Sequence, residues 1–204
     1  MKLLLATHNE HKRREFARLL ERPGADRIEI DALPESVSLP PEDGETFAEN
    51  ALGKARAAAQ ATGRVSIADD SGIAAAALDG APGVRSARYA GEHATDAENL
   101  QKLLREAPAG SALEYVCVVA YVDPSSGVEQ VFEGRCRGRL ADEPRGAGGF
   151  GYDPAFVPDD GPPVEDGQAP LTMAELSDEQ KDAISHRGRA ARGLLEWLHI
   201  AAAV

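Results

Sequence analysis

The chain has 204 residues, 43% hydrophobic and 27% charged, which is enough to bury a full core in a single α/β domain spanning residues 1–204. Its 34 acidic residues outnumber its 22 basic residues, for a net charge of -12 at pH 7. This balance argues against binding to a nucleic-acid polymer, which needs clustered Lys and Arg, while a small anion held by backbone N–H groups and a metal ion remains compatible.

The first predicted elements are a strand and a helix joined by a polar turn. Residues 2–6 form a short apolar run that predicts a buried strand, and residues 13–20 place apolar side chains at helical spacing. Residues 27–30 predict a second strand, and a Pro-rich loop follows that ends in acidic residues 42–45. This order is typical of the start of an α/β sheet.

A long helix and a third strand come next. Thr46 and Glu49 have the spacing of a capping box before an Ala-rich helix, which Gly63 ends. Residues 65–68 predict a strand that stops at the pair Asp69-Asp70. Two acids at the end of a strand are the first place where the sequence indicates chemistry.

The second half of the chain combines a predicted hairpin with further helices and loops. The hairpin indicates that part of the sheet is antiparallel. The predicted elements are a loop at 80–91, a helix at 95–106, strands at 113–122 and 128–140, a glycine-rich segment at 146–153, a polar, mobile insertion at 159–170, a cap at 177–180 and a last helix at 187–198.

The N-terminus and the cysteines indicate a protein of a reducing compartment. The run Met1–Ala6 is too short for the apolar core of a signal peptide, and no stretch reaches the roughly 20 apolar residues of a membrane span. Cys117 and Cys136 fall in predicted strands without a partner at metal-ligand spacing, so we interpret them as core thiols. We therefore expect a cytoplasmic protein that does not interact with membranes.

The polar turn after the first strand is a candidate anion site. Thr7, His8, Asn9 and Lys12 bring hydroxyl, amide and ammonium groups to the point where a strand leads into a helix N-terminus. The alternative is that Thr7 or Asn9 only caps the helix and Lys12 extends into solvent. The spacing is not that of a Walker P-loop.

Two groups of carboxylates are candidates for metal binding. Of Asp69 and Asp70, one can bind a metal ion while the other orients it, or the pair belongs to an Asx turn around Gly72. Glu42 and Glu45 lie in the acidic loop, which is either solvated surface or, if it folds toward Asp70, the source of a second carboxylate for Mg²⁺.

Two segments near the C-terminus carry groups suited to recognising a purine. The run Phe150–Asp153 combines an aromatic face, a glycine that permits close approach and an acid, although a packed turn uses the same residues. Lys181, His186 and Arg187 offer donors for a phosphate or a base carbonyl, or are ordinary exposed charge.

Six blocks in chain order resemble the inosine triphosphate pyrophosphatase family, the Ham1-like non-canonical purine NTP pyrophosphatases. The resemblance covers residues 7–188 and so nearly the whole chain. The blocks are Thr7-His8-Asn9 with Lys12 and Glu15, residues 46–51 with Lys54-Ala55, residues 68–72, residues 80–89, residues 148–154 and residues 185–188.

The resemblance implies both an architecture and a reaction. The implied fold is mixed α/β, with a twisted central sheet flanked by helices and two lobes around a nucleotide-binding cleft. The implied reaction is Mg²⁺-dependent hydrolysis of ITP, dITP or XTP to the nucleoside monophosphate and pyrophosphate by a homodimer. A donor pair that meets the base at C6 favours a carbonyl over an amine, which explains such selectivity.

The resemblance also implies roles for single residues. Asp70 is the implied general base and metal ligand, and Glu42 is the implied second ligand, with Glu45 as the next choice. Asp69 supports the site. The residues implied to bind substrate are Thr7, His8, Asn9, Lys12, Ser71, Phe150, Gly151, Tyr152, Asp153, Lys181, His186 and Arg187.

Two departures from the family pattern and two rival functions stay open at this point. Many members have Gly where His8 stands, so a residue with a side chain occupies a position where glycine permits positive φ. The stretch 159–170 is longer than the usual connection. The rivals are a catalytically silent nucleotide sensor on the same fold and a pyrophosphatase for modified pyrimidine nucleotides.

Overall fold

The computed structural model describes residues 1–21 and 28–202. These residues form strands, α-helices and short 3-10 helices. The strands are β1 (Lys2–Leu5), β2 (Glu29–Ala32), β3 (Ser66–Ala75), β4 (Ala112–Asp123), β5 (Val128–Leu140) and β6 (Phe156–Pro158). The α-helices are α1 (Glu10–Leu20), α2 (Phe47–Thr62), α3 (Asp96–Glu106), α4 (Asp178–Ile184) and α5 (His186–Ala202). The 3-10 helices are Ala76–Leu78, Gly83–Arg88, Asp153–Ala155 and Met173–Glu175.

The strands form one mixed sheet in the order β2-β1-β3-β4-β5-β6. Strand β1 pairs in parallel with β2 and with β3, where Leu4 lies opposite Ser66. Strands β5 and β6 are antiparallel, with Leu140 opposite Phe156. The predicted mixed sheet flanked by helices is therefore confirmed.

The chain divides into two compact units. The first comprises Met1–Asp70, Cys117–Gly134 and, as far as it is described, Arg187–Val204. The second comprises Ser71–Val116 and Arg135–His186. Each unit has an apolar core of its own, so the residues of each are stabilised by their own burial.

The core of the first unit follows from the alternation of side chains along its strands. Leu3 and Leu5 of β1 pack in one cluster with Phe16 of α1 and Leu194 of α5. Leu4, between them, belongs to another cluster, because successive residues of a strand point to opposite faces. The second cluster is closed by the alanine stripe of α2, which consists of Ala51, Ala55, Ala58 and Ala59.

The core of the second unit is built on the parts of β3, β4 and β5 that do not belong to the first unit. Ile73 of β3 and Tyr115 of β4 pack in one cluster with Leu103 of α3 and Phe156 of β6. Cys136 is buried in the same cluster, and Cys117 is buried in the first unit. Both cysteines are free thiols, as predicted, and burial raises the pKa of Cys117 to about 12.

Most predicted elements are confirmed, and their ends are set by the expected caps. Thr46 and Glu49 form the capping box of α2, and Gly63 ends that helix with φ 68 in the left-handed region. Of the predicted strand 27–30, residue 27 lies outside the described residues, and the strand that is described is Glu29–Ala32. The loop predicted at 80–91 contains the 3-10 helix Gly83–Arg88.

One prediction about β3 was wrong in a way that matters for the site. The strand does not stop at Asp69 but continues to Ala75, because Ile73 and Ala75 are buried and extend its apolar pattern. Asp69 and Asp70 are consequently interior strand residues and not part of an Asx turn. A strand fixes the directions of the two side chains more firmly than a turn does.

Among the described helices, none combines the length and the apolar character that crossing a membrane requires.

Candidate active site

Strand β3 sends its two adjacent acids to opposite faces of the first unit. Asp69 lies on the same face of β3 as Ile67, which packs with α1 and α5. Asp70 lies on the same face as Ala68, which packs with α2. Both carboxylates are buried, with Asp69 at 1% and Asp70 at 4% exposure. The neighbours of the two acids therefore differ although the acids are adjacent in sequence.

Asp69 is surrounded by positive charge. Its Oδ2 atom lies 2.9 Å from Lys12 Nζ and 3.7 Å from Arg187 Nε. Burial raises the pKa of Asp69, but nearby cations outweigh burial and hold the pKa well below its usual range. Those cations are Lys12, Arg187 and Lys54. Arg187 Nη1 also lies 2.5 Å from Glu15 Oε2, so Asp69 is one of the carboxylates that fix this guanidinium.

Asp70 has the opposite environment. Burial raises its pKa, and the negative charge of Glu42 adds to the effect. Asn50 Nδ2 donates to Asp70 Oδ2 at 2.8 Å, and Asn50 Oδ1 accepts from Gly44 N at 2.8 Å, so the amide is held from both ends. Adjacent acids whose pKa values are pushed apart are the usual sign that one serves as a base while the other stays charged.

The acidic loop folds toward β3, as its metal-binding interpretation requires. Lys54 Nζ donates to the main-chain oxygen of Asp69 at 2.5 Å and forms an ion pair with Glu42. Glu45 is exposed, and its N–H donates to Glu49 of the capping box at 2.8 Å. The contacts therefore favour Glu42 over Glu45 as the acid that belongs to the site.

The carboxylates near Asp70 fit one class of metal ion. Within residues 1–21 and 28–202, no group of three or more His, Cys, Asp and Glu side chains is arranged to hold a metal. Such an all-protein cage is not what Mg²⁺ uses, since it binds through one or two carboxylates together with water and phosphate oxygens. Asp70 and Glu42 match that donor set, and the negative charge of Glu42 contributes to the raised pKa of Asp70.

The polar turn before α1 caps the helix, as one of the two interpretations predicts. Asn9 caps the helix, because its Oδ1 accepts from Lys12 N at 3.1 Å, and Thr7 Oγ1 accepts from Asn9 N at 3.1 Å. Lys12 does not extend into solvent but pairs with Asp69. His8 is exposed, and among the described residues Asp79 alone of the non-glycines has positive φ, so His8 adds no backbone strain.

In the second unit, the glycine-rich segment forms a loop around Asp153. The buried carboxylate accepts from Tyr115 Oη at 3.1 Å, from Phe150 N at 2.9 Å and from Lys181 Nζ at 2.7 Å. A Cβ at Gly149 would lie 2.0 Å from Asp153 Oδ2, so the loop requires glycine there. The structure thus uses Asp153 to hold the loop together.

The side chains around this loop differ in exposure. Phe150 and Gly151 are half-buried at its tip, and Lys181 Nζ lies 5.5 Å from the centre of the Phe150 ring. Tyr152 is buried and donates to the main-chain oxygen of Ser86 at 2.7 Å. The His186 ring stacks on Tyr115 with centroids 4.5 Å apart and planes 6° apart. Phe150 and Gly151 are therefore partly accessible, whereas Tyr152 and Asp153, which follow them, are buried.

Lys181, His186 and Arg187 are not ordinary exposed charge. Their relative exposures are 4%, 4% and 3%, and the contacts above engage each of them. The second unit ends at His186. Arg187, the next residue, begins the last segment of the first unit. Ser71 is half-buried next to Asp70 and begins the second unit.

Three residues that contact Asp69, Asp70 or Asp153 were given no role in the sequence analysis. Asn50 and Lys54 are buried at helical spacing beside the alanine stripe of α2, and a polar side chain on an apolar stripe was the available signal. Tyr115 supports both Asp153 and His186, but in sequence it is one more apolar residue of a strand. No local pattern distinguishes it.

Comparison with known proteins relates the chain to a single family. A model of the Ham1 family matches residues 3–197. A protein of Corynebacterium glutamicum (strain R) named dITP/XTP pyrophosphatase is 48% identical over 204 residues, covering 96% of each chain. One of the same name from Photorhabdus laumondii is 46% identical, covering 97% of this chain and 98% of that one.

Solved structures agree with the sequence relatives. A HAM1 protein from Coxiella burnetii is 40% identical and superposes with a TM-score of 0.82, covering 98% of both chains. A nucleoside-triphosphatase or dITP/XTP pyrophosphatase from Mycobacterium abscessus is 44% identical with a TM-score of 0.69, covering 96% of this chain and 99% of that one.

Proposed function

Because the chain belongs to the Ham1 family, we propose that it hydrolyses non-canonical purine nucleoside triphosphates to the monophosphate and pyrophosphate, and so cleanses the nucleotide pool. The proposed substrates are ITP, dITP and XTP. The observation that carries the proposal is the pair Asp69 and Asp70, whose pKa values are moved in opposite directions by their surroundings. Asp69 is paired with Lys12 and Asp70 is oriented by Asn50, so each acid is held for a different task.

We assign the triphosphate to the polar turn before α1. Thr7, His8, Asn9 and Lys12 surround the N-terminus of a helix, where N–H groups and the helix dipole favour anions. The ammonium of Lys12 is already oriented by Asp69 at 2.9 Å, so little side-chain entropy is lost when it also meets a phosphate oxygen.

We assign Mg²⁺ to Asp70 and Glu42, with phosphate and water oxygens as the remaining ligands. When bound there, the ion neutralises phosphate charge in the transition state. Lys54 holds Glu42 in place through their ion pair. The protein's own contribution is thus to fix the two carboxylates, while Asn50 fixes the orientation of Asp70 at 2.8 Å.

We assign the proton transfer to Asp70. Its carboxylate accepts a proton from a water molecule as the water oxygen bonds to a phosphorus of the α–β anhydride. The anhydride P–O bond breaks, and its electron pair leaves on the departing phosphate oxygen. Phosphoryl transfer of this kind depends on positioning and charge stabilisation, which Lys12 and Asp69 support from the other face of β3.

We propose that base recognition uses the Phe150 segment together with His186 and Arg187. Phe150 and Gly151 offer an accessible aromatic face and a close backbone approach, and Ser71, Tyr152, Asp153 and Lys181 complete the proposed nucleotide contacts. His186 and Arg187 are proposed to donate to a carbonyl at C6 of the purine, where adenine carries an amine. Asp153 is also the anchor of the loop, through its contact with Lys181.

The broader expectations belong to the same proposal. We propose that the chain acts as one domain over residues 1–204, as a homodimer in the cytoplasm, and without nucleic-acid or membrane partners. The net charge of -12 supports the absence of a nucleic-acid partner.

The experiment that tests the function measures pyrophosphate release from ITP, XTP, dITP, ATP and GTP, each with and without Mg²⁺ at mildly alkaline pH. We expect Mg²⁺-dependent release from ITP, dITP and XTP and little from ATP and GTP. Nucleotide binding without release would favour the silent sensor. Release that is confined to modified pyrimidine triphosphates, assayed in parallel, would favour the pyrimidine enzyme.

A further inference from the structure

We propose that Asp96 is a positioning residue that sets the conformation of the loop tip at Phe150 and Gly151 and thereby tunes nucleotide affinity. Asp96 Oδ2 accepts a hydrogen bond from Gly151 N at 3.0 Å, across 55 residues of sequence. The inference rests on the proposed function, in which the tip meets the nucleotide. The rest of the segment is held by other groups, so Asp96 acts on the tip specifically.

Helix α3 does not need Asp96 for its own start. Thr95 Oγ1 accepts from Glu98 N at 3.3 Å, and Glu98 Oε2 accepts from Thr95 N at 2.7 Å, which completes the capping box. An acid at the first helical position interacts favourably with the helix dipole, but that effect has no directional requirement. The carboxylate of Asp96 is nevertheless directed at one main-chain N–H of another segment.

Gly151 has the backbone conformation of a glycine and is held in a fixed position through its contact with Asp96. It has φ 64, in the left-handed region that residues with a side chain avoid. On either side the segment is anchored to buried residues, by Gly148 N donating to the main-chain oxygen of Ala174 at 2.9 Å and by Tyr152 Oη donating to that of Ser86 at 2.7 Å. The contact of Gly151 is made instead to an exposed side chain.

The contact to Asp96 is a hydrogen bond to a charged acceptor, which is among the stronger kinds in proteins. Without it, the glycine at the tip is free to sample other backbone conformations, and the peptide between Phe150 and Gly151 is no longer fixed, although Phe150 N stays bonded to Asp153. An ordering cost then falls on nucleotide binding. Asp70, the proposed base, belongs to the other unit, so the expected change is in affinity and not in turnover.

The test compares three variants in steady-state hydrolysis of ITP. Asp96→Ala removes the acceptor, and we expect KM to rise about three- to tenfold with kcat within about twofold of the parent. Asp96→Asn keeps an oxygen that accepts from Gly151 N, so its KM stays close to the parent value. The double variant Asp96→Ala with Ala97→Asp returns an acid to the first turn of α3 without the contact, and it behaves as Asp96→Ala does.

A second measurement needs no nucleotide and no activity. We expect hydrogen exchange at the Gly151 amide to be faster in Asp96→Ala than in the parent and in Asp96→Asn, as measured by mass spectrometry of the 146–153 segment. An unchanged KM or unchanged exchange in Asp96→Ala overturns the proposal, as does recovery of the parent KM in the double variant. If the parent protein releases no pyrophosphate, the proposed function fails, while the exchange data still decide whether Asp96 holds the tip.

Discussion

Buried polar residues form two clusters, the first around Asp69 and Asp70 and the second around Asp153. The charges of the two clusters are balanced in different ways. In the first unit, Asp69 is balanced by the cations of Lys12 and Arg187, and the neighbouring Asp70 is left with a raised pKa. In the second unit, Asp153 is satisfied by one cation, Lys181, and by neutral donors. The first arrangement separates two adjacent acids in proton affinity, while the second ties several segments to one carboxylate.

From this difference we propose that the residues around Asp70 do the chemistry and that those around Asp153 shape a binding surface. A carboxylate that accepts from a tyrosine, a backbone N–H and a lysine has little capacity left for a substrate, but it holds the loop that bears Phe150. Asp70, which accepts a hydrogen bond from the amide of Asn50 and has a raised pKa, is the carboxylate that we propose accepts a proton. The predictions below test this division of roles.

The largest expected effect is on turnover in the first cluster. Asp70→Asn removes the proposed base and one ligand charge while keeping the shape of the side chain, so kcat for ITP should fall about a thousandfold with ITP binding largely retained. Pyrophosphate release and ITP titration measure the two quantities. Asp43→Asn, at an exposed acid of the acidic loop beside Glu42, is the control and should leave kcat unchanged. Turnover within tenfold of the parent in Asp70→Asn would remove Asp70 from the mechanism.

The next effect is on stability and comes from the ion pair of Glu15 with Arg187. Both side chains are buried, and the Nη1–Oε2 distance is 2.5 Å. Glu15→Gln takes a charge away from a guanidinium that cannot lose its own, so the free energy of unfolding should fall by about 3 kcal/mol. Urea unfolding measures it. Glu10→Gln, at an exposed acid of the same helix, should leave the urea midpoint unchanged.

The corresponding change in the second cluster should cost less. Lys181→Met removes the cation beside Asp153, but the carboxylate keeps the hydroxyl of Tyr115 and the N–H of Phe150. We expect the free energy of unfolding to fall by about 2 kcal/mol in the same urea assay. Lys102→Met, at a half-buried lysine of the same unit, should have a smaller effect. A loss as large as that of Glu15→Gln would contradict the contrast between the clusters.

Arg187 is the residue for which the contrast is sharpest, because it is proposed to read the base but contacts the acids of the first cluster. If it donates to the base, Arg187→Ala should lower the ratio of kcat/KM for ITP over ATP about tenfold. If it serves only Asp69, activity toward both nucleotides should fall together. Arg192→Ala, further along α5, is the control and should leave the ratio unchanged.

The smallest expected effect concerns one neutral donor of the second cluster. Tyr115→Phe removes the hydroxyl that donates to Asp153 at 3.1 Å and keeps the ring that stacks on His186. We expect a loss of about 1 kcal/mol in the free energy of unfolding, because two donors to Asp153 remain. Thermal unfolding measures it. A loss comparable to that of Lys181→Met would show that the hydroxyl matters as much as the cation.

Much of the fold was predictable because its signals are local. The capping box at Thr46, the glycine at Gly63, the apolar run of β4 and the alternation along β5 each depend on residues a few positions apart. The end of β3 was not predictable in this way. Asp69 and Asp70 look like a stop signal, since only the burial of Ile73 and Ala75 in the second unit shows that the strand continues.

The candidate site was predictable as a set of residues but not as a set of contacts. The ordered blocks name Asp70, Lys12 and the Phe150 segment because their spacing matches one family. That Lys12 pairs with Asp69, and that Lys181 anchors Asp153, depends on side chains from distant parts of the chain. Such pairs leave no pattern in a single sequence.

The sequence by itself determined the fold class, the identity of the chemistry-bearing residues and the family to which they point, because periodicity, caps and motif spacing are written along the chain. Only the tertiary structure decided which of the two adjacent acids has a lowered pKa and which has a raised one. That outcome depends on burial and on the charges of Lys12, Arg187 and Glu42, and these reach β3 from other elements. Electrostatic energy depends on distance in space, which sequence separation does not give.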